Sequence, residues 1–435
     1  MLDERGCIWL SLSEPVLFIN DDACGSVVEH LNHFCFIERQ ESLFSLLPDG
    51  PVALEAIGLK AGDGVLAPTM TFAATAEVVR YLGATPILVD CRESDFNLDV
   101  ADAERRLRAS LSRGQPVTAI MPVHYGGQIG DVTGVASLAK RYNLKVVEDA
   151  AHCCPAYYRL SESDAWESVG KSAEISCYSF YANKCITTGE GGMACTHNDE
   201  YADRMRIMSL HGISRDAWKR YTAEGSWYYE ILAPGFKYNL TDIAAAIGIH
   251  QLRKADQFHQ KRCELAQLYT DKLKDVDELL LPEAQPNRVH SWHLYVIRLR
   301  LDRLTINRAE FISKLSGAGI GVSVHYTPLH MHPYYRDKFG YRPGDLPCMA
   351  SVYPQIVSLP LYPDLTEGEL VYVCNAVGKI IGSHLKQHKS GRPVSPRLAL
   401  YSNNHSIPIK TVATQLRQQG RKARLSKMTA ALSEG

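Results

Sequence analysis

A lysine and a carboxylate near the middle of the chain have the residue types of a carbonyl-chemistry site. Asp149 ends an apolar run within the sequence E-D-A-A-H, and Lys184 precedes the glycine-rich turn T-T-G-E-G-G. A lysine attacks a carbonyl when its amine is neutral, and a carboxylate keeps a pyridine nitrogen protonated. Pyridoxal phosphate uses both groups, because a lysine holds its aldehyde as a Schiff base while a carboxylate binds its ring nitrogen. We therefore expect a pyridoxal phosphate site around Asp149 and Lys184.

Both residues also have simpler interpretations. Most lysines in loops are solvated, and an aspartate that follows a strand is often the N-cap of the next helix. The glycines that follow Lys184 favour the functional interpretation, because glycine allows the backbone to approach a ligand closely.

The surrounding elements indicate how these residues are positioned. Apolar runs predict strands at residues 65–67, 86–89, 117–123 and 144–147. Continuous apolar strands that alternate with helices are typical of a parallel sheet covered on both faces. Functional residues in such sheets gather beyond the carboxyl ends of the strands. His124, Asp149 and the loop at residues 68–72 all fall there.

The second half of the chain predicts helices that lead into a smaller unit. Thr241 caps a helix that runs to about Leu252, a second helix covers residues 255–273, and Thr366 with Glu369 forms a capping box for the last helix. We therefore divide the chain into an atypical N-terminal segment at 1–51, a large cofactor-binding domain at 52–254, a small C-terminal domain at 255–383, and a basic tail at 384–435 that we expect to be disordered.

The composition is that of a soluble globular enzyme. The 435 residues are 46% hydrophobic and 22% charged, with a formal net charge of -1. This charge gives no reason to expect a nucleic acid or a membrane surface as partner, and we expect neither a transmembrane helix nor a signal peptide. The 12 cysteines include no pair with metal-ligand spacing. We therefore expect no metal site, reduced thiols and a cytoplasmic location.

Four stretches of the chain form an ordered set of motifs. They are E-D-A-A-H at Glu148–His152, S-F-Y-A-N-K-C-I-T-T-G-E-G-G at Ser179–Gly192, G-F-K-Y-N-L-T-D-I-A-A-A-I-G at Gly235–Gly248, and H-Y-T-P-L-H at His325–His330. This set resembles the DegT/DnrJ/EryC1/StrS family of pyridoxal phosphate-dependent sugar aminotransferases, and the resemblance runs from about Val52 to Gly382. It implies the α/β fold of fold-type I pyridoxal phosphate-dependent transferases. That fold has a large domain with a mostly parallel seven-stranded sheet and a smaller C-terminal α/β domain.

The resemblance assigns four residues to the cofactor ring. Lys184 matches the lysine that forms the Schiff base, and Asp149 matches the partner of the ring nitrogen. His152 matches a residue beside the ring, and Phe72 matches the aromatic residue that stacks on it. Without the family, His152 and Phe72 are equally well explained as core residues.

Four further residues receive roles around the phosphate and the substrate. Ser179 matches the hydroxyl that holds the phosphate. Asn239 matches a residue that reaches the phosphate from the other subunit, which implies a homodimer with a shared active site. Tyr326 and His330 match the substrate-side loop, although His330 could equally be a surface histidine.

The resemblance also implies a reaction. Relatives that dehydrate the sugar have histidine in place of the lysine, so Lys184 favours transamination. We expect an amino acid, L-glutamate, to give its nitrogen to the cofactor, which then gives it to a keto-sugar carried on a nucleotide. Lys184 moves the proton in each half-reaction as general acid and base. Both glycan and antibiotic sugars remain open as products.

The chain departs from the family before Val52. Relatives have a turn of the type S-G-T-A-A-L, whose backbone N–H groups bind the phosphate at a helix N-terminus. Residues 46–54 read L-L-P-D-G-P-V-A-L instead, so two prolines remove donors and Asp49 adds a negative charge. An altered start, a degenerate enzyme and a substitute phosphate-binding segment all stay open. The rival function is a non-catalytic homologue that acts as a binding or dimerisation module, and we expect weakened cofactor binding.

Overall fold

The computed structural model describes residues 50–214 and 229–386. Its strands are β1 (Gly64–Pro68), β2 (Thr85–Val89), β3 (Val117–Ile120), β4 (Lys145–Asp149), β5 (Tyr157–Tyr158), β6 (Glu167–Ser168), β7 (Ile175–Ser179), β8 (Gly192–Cys195), β9 (Leu279–Leu280), β10 (Arg288–Val289), β11 (Tyr295–Leu299) and β12 (Ile356–Leu359). Its α-helices are α1 (Gly50–Ala56), α2 (Ala74–Tyr81), α3 (Val100–Ser112), α4 (Val132–Tyr142), α5 (Asp199–Ser209), α6 (Asp242–Leu273), α7 (Arg308–Gly317), α8 (Pro333–Phe339), α9 (Pro347–Val352) and α10 (Glu367–Gly382).

The main sheet has the order β2-β1-β3-β4-β7-β8. All neighbouring strands in it are parallel except β7 and β8, which are antiparallel. Strands β1 and β8 are buried at every position, as expected for a sheet covered on both faces. The mostly parallel α/β architecture is therefore confirmed. The sheet has six strands within the described ranges, where the resemblance implies seven.

The carboxyl ends of the parallel strands bring distant loops together. The backbone N–H of Thr69, just after β1, donates to the carbonyl of Val89 at the end of β2. Val123, just after β3, forms a bridge with Asp149 at the end of β4. Since parallel strands end at one edge of the sheet, the loops after β1, β3 and β4 converge there, as the sequence predicts.

Capping residues fix several helix starts. The side chain of Asp131 accepts a hydrogen bond from the Gly134 N–H and begins α4, and Thr366 and Glu369 form the predicted capping box of α10. Such caps each contribute about 1 kcal/mol to helix stability. The prediction of two helices at 241–252 and 255–273 is wrong, because α6 is one continuous helix of 32 residues. Residues 252–255 are L-R-K-A, all good helix formers, so nothing interrupts it.

A second core lies in the C-terminal part of the chain. Strands β9, β11 and β12 form an antiparallel sheet, and the apolar side chains packed with it come from residues 265–381. Helix α6 passes through the predicted boundary at residue 254, and that boundary stays a prediction. Residues 1–49 of the N-terminal segment and 387–435 of the tail lie outside the described residues. Among the described helices, none has the length and hydropathy needed to cross a membrane.

Candidate active site

Asp149 is held at the carboxyl end of β4 by two hydrogen bonds. Its Oδ2 accepts from the Thr75 hydroxyl at 2.8 Å, and its Oδ1 accepts from the Ala151 N–H at 3.1 Å. Burial raises the pKa of Asp149, and the two hydrogen bonds and the charge of Lys184 oppose this rise. Residues 150–156, all described, form turns and no helix. Asp149 is therefore not a helix N-cap, and its carboxylate is buried and interacts electrostatically with Lys184.

Lys184 lies in the segment between β7 and β8. Its backbone N–H donates to the carbonyl of Tyr181 at 2.9 Å, and its side chain is half-buried. Burial lowers the pKa of the Lys184 amine, and the charge of Asp149 opposes that effect. A lowered pKa gives a larger fraction of neutral amine near neutral pH, which is the form that attacks a carbonyl. Lys184 is therefore not the fully solvated loop lysine of the simpler interpretation.

Glycine is required in the turn that follows Lys184. Gly191 has φ +141°, and a Cβ there would lie 2.7 Å from Thr188 Oγ1 and 2.8 Å from Leu240 Cδ1. The start of β8 can therefore pack against Leu240, the residue after Asn239, only because residue 191 has no side chain.

His152 has a defined tautomer in this arrangement. The Gly126 N–H donates to His152 Nδ1 at 3.1 Å, so Nδ1 carries no hydrogen. The hydrogen of the neutral ring is then on Nε2, which lies 3.1 Å from the Tyr326 hydroxyl oxygen and donates to it. Burial lowers the pKa of His152 well below its ordinary value, with a further lowering from the charge of Lys184. His152 is therefore a neutral hydrogen-bond donor to Tyr326.

Phe72 and Tyr326 form an aromatic wall beside these groups. Their ring centroids are 5.7 Å apart, and Phe72 is 45% exposed although it follows the buried Thr71. An exposed phenyl ring next to a half-buried tyrosine offers a face on which another ring can stack. This exposure argues against the alternative in which Phe72 is a core residue.

Two further histidines, to which the sequence assigned no role, lie next to His152 and Tyr326. The ring of His293 lies on that of His152 with centroids 4.4 Å apart, and His325 Nδ1 lies 2.8 Å from the Ser358 hydroxyl. The charge of Lys184 contributes to the lowered pKa of both histidines, although burial is the main cause. Both histidines are therefore within electrostatic range of the amine. Two sequence patterns could have indicated these histidines: H-S-W-H before β11, which ends in His293, and H-Y-T-P-L-H, which begins with His325.

Ser179 and Asn239 are the two residues predicted to lie at the cofactor phosphate. Ser179 is the last residue of β7, and its Oγ accepts a hydrogen bond from the Tyr181 N–H at 3.4 Å. Asn239 lies just before α6, and its Oδ1 is buried without a hydrogen-bond partner among the described residues. The roles predicted for these residues at the phosphate stay predictions.

His330 is placed differently from the other predicted site residues. It is fully buried, and its Nδ1 lies 2.7 Å from the Thr69 hydroxyl. Burial lowers its pKa to about 4, and the charged groups that affect it are Asp90, Arg106 and Asp345. Lys184 and Asp149 are not among them. His330 is thus not a surface histidine, and its predicted contact with substrate stays a prediction.

The residues present fit pyridoxal phosphate. Lys184 supplies a partly buried amine with a lowered pKa, and Asp149 supplies a buried carboxylate with lone pairs left after its two hydrogen bonds. Phe72 supplies an exposed aromatic face, and neutral His152 is hydrogen-bonded to Tyr326, the ring that contacts Phe72. Lys184 would hold the aldehyde carbon and Asp149 the ring nitrogen. When bound, the cofactor supplies an electron sink for a carbanion.

Comparisons with known proteins identify related chains. This chain is 43% identical over 333 residues to an uncharacterized protein of Methanocaldococcus jannaschii, which covers 77% of this chain and 83% of that one. It is 38% identical over 331 residues to the spore coat polysaccharide biosynthesis protein SpsC of Bacillus subtilis, with 76% and 82% covered. A crystal structure of NtdA from Bacillus subtilis with bound cofactor PMP superposes with a TM-score of 0.63 at 28% identity, covering 77% of this chain and 72% of that one.

A family assignment accounts for these relatives and for the site. Residues 51–378 match a single family of aminotransferases, and this range contains every predicted site residue. The match begins next to Val52, where the sequence analysis places the start of the resemblance. The cofactor of this enzyme is pyridoxal phosphate. The chain belongs to the DegT/DnrJ/EryC1/StrS aminotransferase family.

Proposed function

We propose that this enzyme transfers an amino group from L-glutamate to a keto-sugar linked to a nucleotide. The observation that carries the proposal is the electrostatic pairing of Lys184, which is half-buried, with the buried carboxylate of Asp149: each charge opposes the effect of burial on the pKa of the other group. This pairing suits transamination, because the same amine can remove a proton from one carbon and return it to another. The similarity to a spore coat polysaccharide biosynthesis protein supports a sugar destined for a polysaccharide.

The side chains divide the work of the reaction. In each half-reaction Lys184 Nζ would take a proton from one carbon and return it to another. Asp149, as a carboxylate, keeps the ring nitrogen of bound cofactor protonated. Tyr326 accepts a hydrogen bond from His152, so its own hydroxyl hydrogen remains to be donated to a substrate oxygen. Burial raises the pKa of Tyr326, which keeps that hydroxyl protonated.

We also propose a homodimer with a shared active site, located in the cytoplasm. Apolar side chains are exposed at the start of α6, where Ile243 and Ile247 are one helical turn apart, and Ile231 is exposed earlier in the sequence. A second copy that covers this surface would remove these side chains from water and could satisfy the buried Oδ1 of Asn239. The nine cysteines of the described ranges are all free, which supports a reducing compartment.

The substrate proposal is tested with matched acceptors. Enzyme loaded with amino-form cofactor is mixed with a panel of nucleotide-linked keto-sugars, with the same sugars lacking the nucleotide, and with pyruvate. We expect return of the cofactor to its aldehyde form with at least one nucleotide-linked sugar, and much more slowly with its free counterpart. Equal rates for the free sugar, or a preference for pyruvate, would overturn the assignment of substrate class.

The second candidate function is a non-catalytic homologue. One observation favours it: the start of α1 at Gly50, Pro51 and Val52 is buried, and Pro51 has no backbone N–H to offer a phosphate. Titration of the purified apoprotein with pyridoxal phosphate separates the candidates. Binding only at millimolar cofactor, with no turnover, would favour the non-catalytic homologue. Tight stoichiometric binding would contradict the expectation that cofactor binding is weakened.

A further inference from the structure

Two buried threonines stand behind the carboxylate of Asp149. Thr75, in the first turn of α2, has its hydroxyl 2.8 Å from Asp149 Oδ2. The Thr71 hydroxyl, in the loop after β1, lies 2.7 Å from that of Thr75. Thr75 is fully buried and Thr71 is 2% exposed. The three groups therefore form a continuous hydrogen-bonded chain that is shielded from water.

The direction of this chain follows from the chemistry of its end. An ionised carboxylate only accepts hydrogen bonds, so the Thr75 hydroxyl donates to Asp149. Its single hydrogen is then used, and the bond between the two threonines requires the Thr71 hydroxyl to donate to Thr75. Both O–H dipoles therefore point toward the carboxylate, and hydrogen bonds aligned in this way strengthen one another.

The hydrogen-bonded chain from Thr71 to Asp149 also connects the carboxylate to the aromatic wall. Thr71 directly precedes Phe72, whose exposed ring faces Tyr326. Thr75 lies one helical turn after Thr71, and the Thr75 N–H donates to the Phe72 carbonyl at 3.3 Å. A shift of the loop at residues 69–72 would therefore move the donor of Asp149 and the exposed ring together.

We propose that Thr71 and Thr75 are positioning residues that keep Asp149 ionised and directed at the ring nitrogen of the bound cofactor. Without them the buried carboxylate would retain the Ala151 N–H as its remaining hydrogen-bond donor among the described residues. The Thr75 hydroxyl is also the strongest of the influences that oppose the rise in the pKa of Asp149 on burial. The two threonines do not touch the reacting atoms, so their effect passes through Asp149.

The test compares two cofactor probes and three variants. Thr75→Val keeps the shape of the side chain and removes the hydroxyl, Thr75→Ser restores a hydroxyl, and Thr71→Val removes only the outer hydroxyl. The probes are pyridoxal phosphate and its 1-deaza analogue, in which the ring nitrogen is replaced by carbon. Affinity is measured on apoprotein by tryptophan fluorescence, without substrate, so the result does not depend on which sugar is aminated.

Thr75→Val is expected to weaken binding of pyridoxal phosphate by about tenfold or more, since a hydrogen bond to a charged group is lost. Binding of the deaza analogue is expected to change by less than about twofold, because it has no nitrogen for Asp149 to hold. Thr75→Ser is expected to restore affinity for pyridoxal phosphate, and Thr71→Val to lose part of it. Equal weakening for both probes in Thr75→Val, or no weakening for either, would overturn the proposal. Should Thr75→Val not fold, the affinities of Thr71→Val for the two probes are compared in its place. Equal weakening for both probes, or no weakening for either, would again overturn the proposal.

Discussion

The Nε2 atom of His152 lies 3.1 Å from the hydroxyl oxygen of Tyr326, a residue 174 positions further along the chain. This contact joins the loop after β4 to the loop that precedes α8. Because Gly126 fixes the tautomer of His152, the direction of the hydrogen bond is fixed as well. The hydroxyl hydrogen of Tyr326 is thereby left for a ligand.

Replacing Tyr326 with Phe tests this assignment. We expect kcat/KM for the sugar half-reaction to fall by about tenfold to a hundredfold, the effect of losing one hydrogen bond to substrate and leaving His152 Nε2 unpaired. The glutamate half-reaction should fall less. Tyr335→Phe is the matched control, because the Tyr335 hydroxyl is buried without a partner among the described residues. An equal loss in both variants would contradict the role of Tyr326.

Mixing two inactive variants tests the shared site. Lys184→Ala lacks the reactive amine, and Asn239→Ala lacks the group predicted to reach the partner's phosphate. In a heterodimer one site carries both changes and the other carries neither, so random mixing should restore about a quarter of the wild-type activity. Activity is measured after the two proteins are denatured and refolded together. No recovery, with heterodimers demonstrated by differential tagging, would show that Asn239 serves its own subunit.

The two glycines around Glu190 give a paired test of the turn. Gly189 and Gly191 both have positive φ, but an added Cβ meets nothing within 4 Å at Gly189 and meets Thr188 and Leu240 at Gly191. We expect Gly189→Ala to cost about 1 kcal/mol of unfolding free energy and Gly191→Ala to cost about 3 kcal/mol, measured by urea unfolding. Equal costs would mean that backbone conformation alone requires glycine here.

The sequence predicts those features of the fold and site that depend on residues close together along the chain. The alternation of strands and helices, the capping box of α10 and the positions of Asp149 and His124 at the carboxyl ends of strands follow from short-range patterns, and the structure agrees with them. The continuity of α6 was not predicted, because the two predicted helices meet at the predicted domain boundary, although helix-forming residues run through that position.

Residues whose surroundings come from distant segments could not be predicted. His330 meets Thr69 across 261 positions, and its complete burial depends on that packing. His293 was missed because the ring that it stacks on, His152, lies in another part of the chain. The hydroxyl chain from Thr71 to Asp149 likewise depends on how α2 packs at the sheet edge, which no spacing in the sequence reveals.

Buried histidines make stability depend on pH. Burial lowers the pKa of His259 to about 4 and of His290 to about 3, so the folded protein binds these protons less readily than the unfolded chain. As pH falls from about 6.5 toward 4, unfolding is favoured by up to about 3 kcal/mol per histidine. Urea unfolding at pH 7 and pH 5 measures this loss. His259→Gln keeps a donor toward the His290 carbonyl and should reduce the loss, whereas His250→Asn, at an exposed position, should not. An equal loss of unfolding free energy between pH 7 and pH 5 in the wild type and both variants would exclude His259 as a cause.

The glutamate half-reaction tests the central claim most directly. Wild-type protein and Lys184→Ala are each loaded with pyridoxal phosphate and mixed with L-glutamate, and conversion of the cofactor to its amino form is followed by absorbance and by release of 2-oxoglutarate. We predict conversion by the wild type and a rate at least about a hundredfold lower for Lys184→Ala, since Lys184 is the group that moves the proton. A wild-type protein that is no faster than Lys184→Ala would contradict the account.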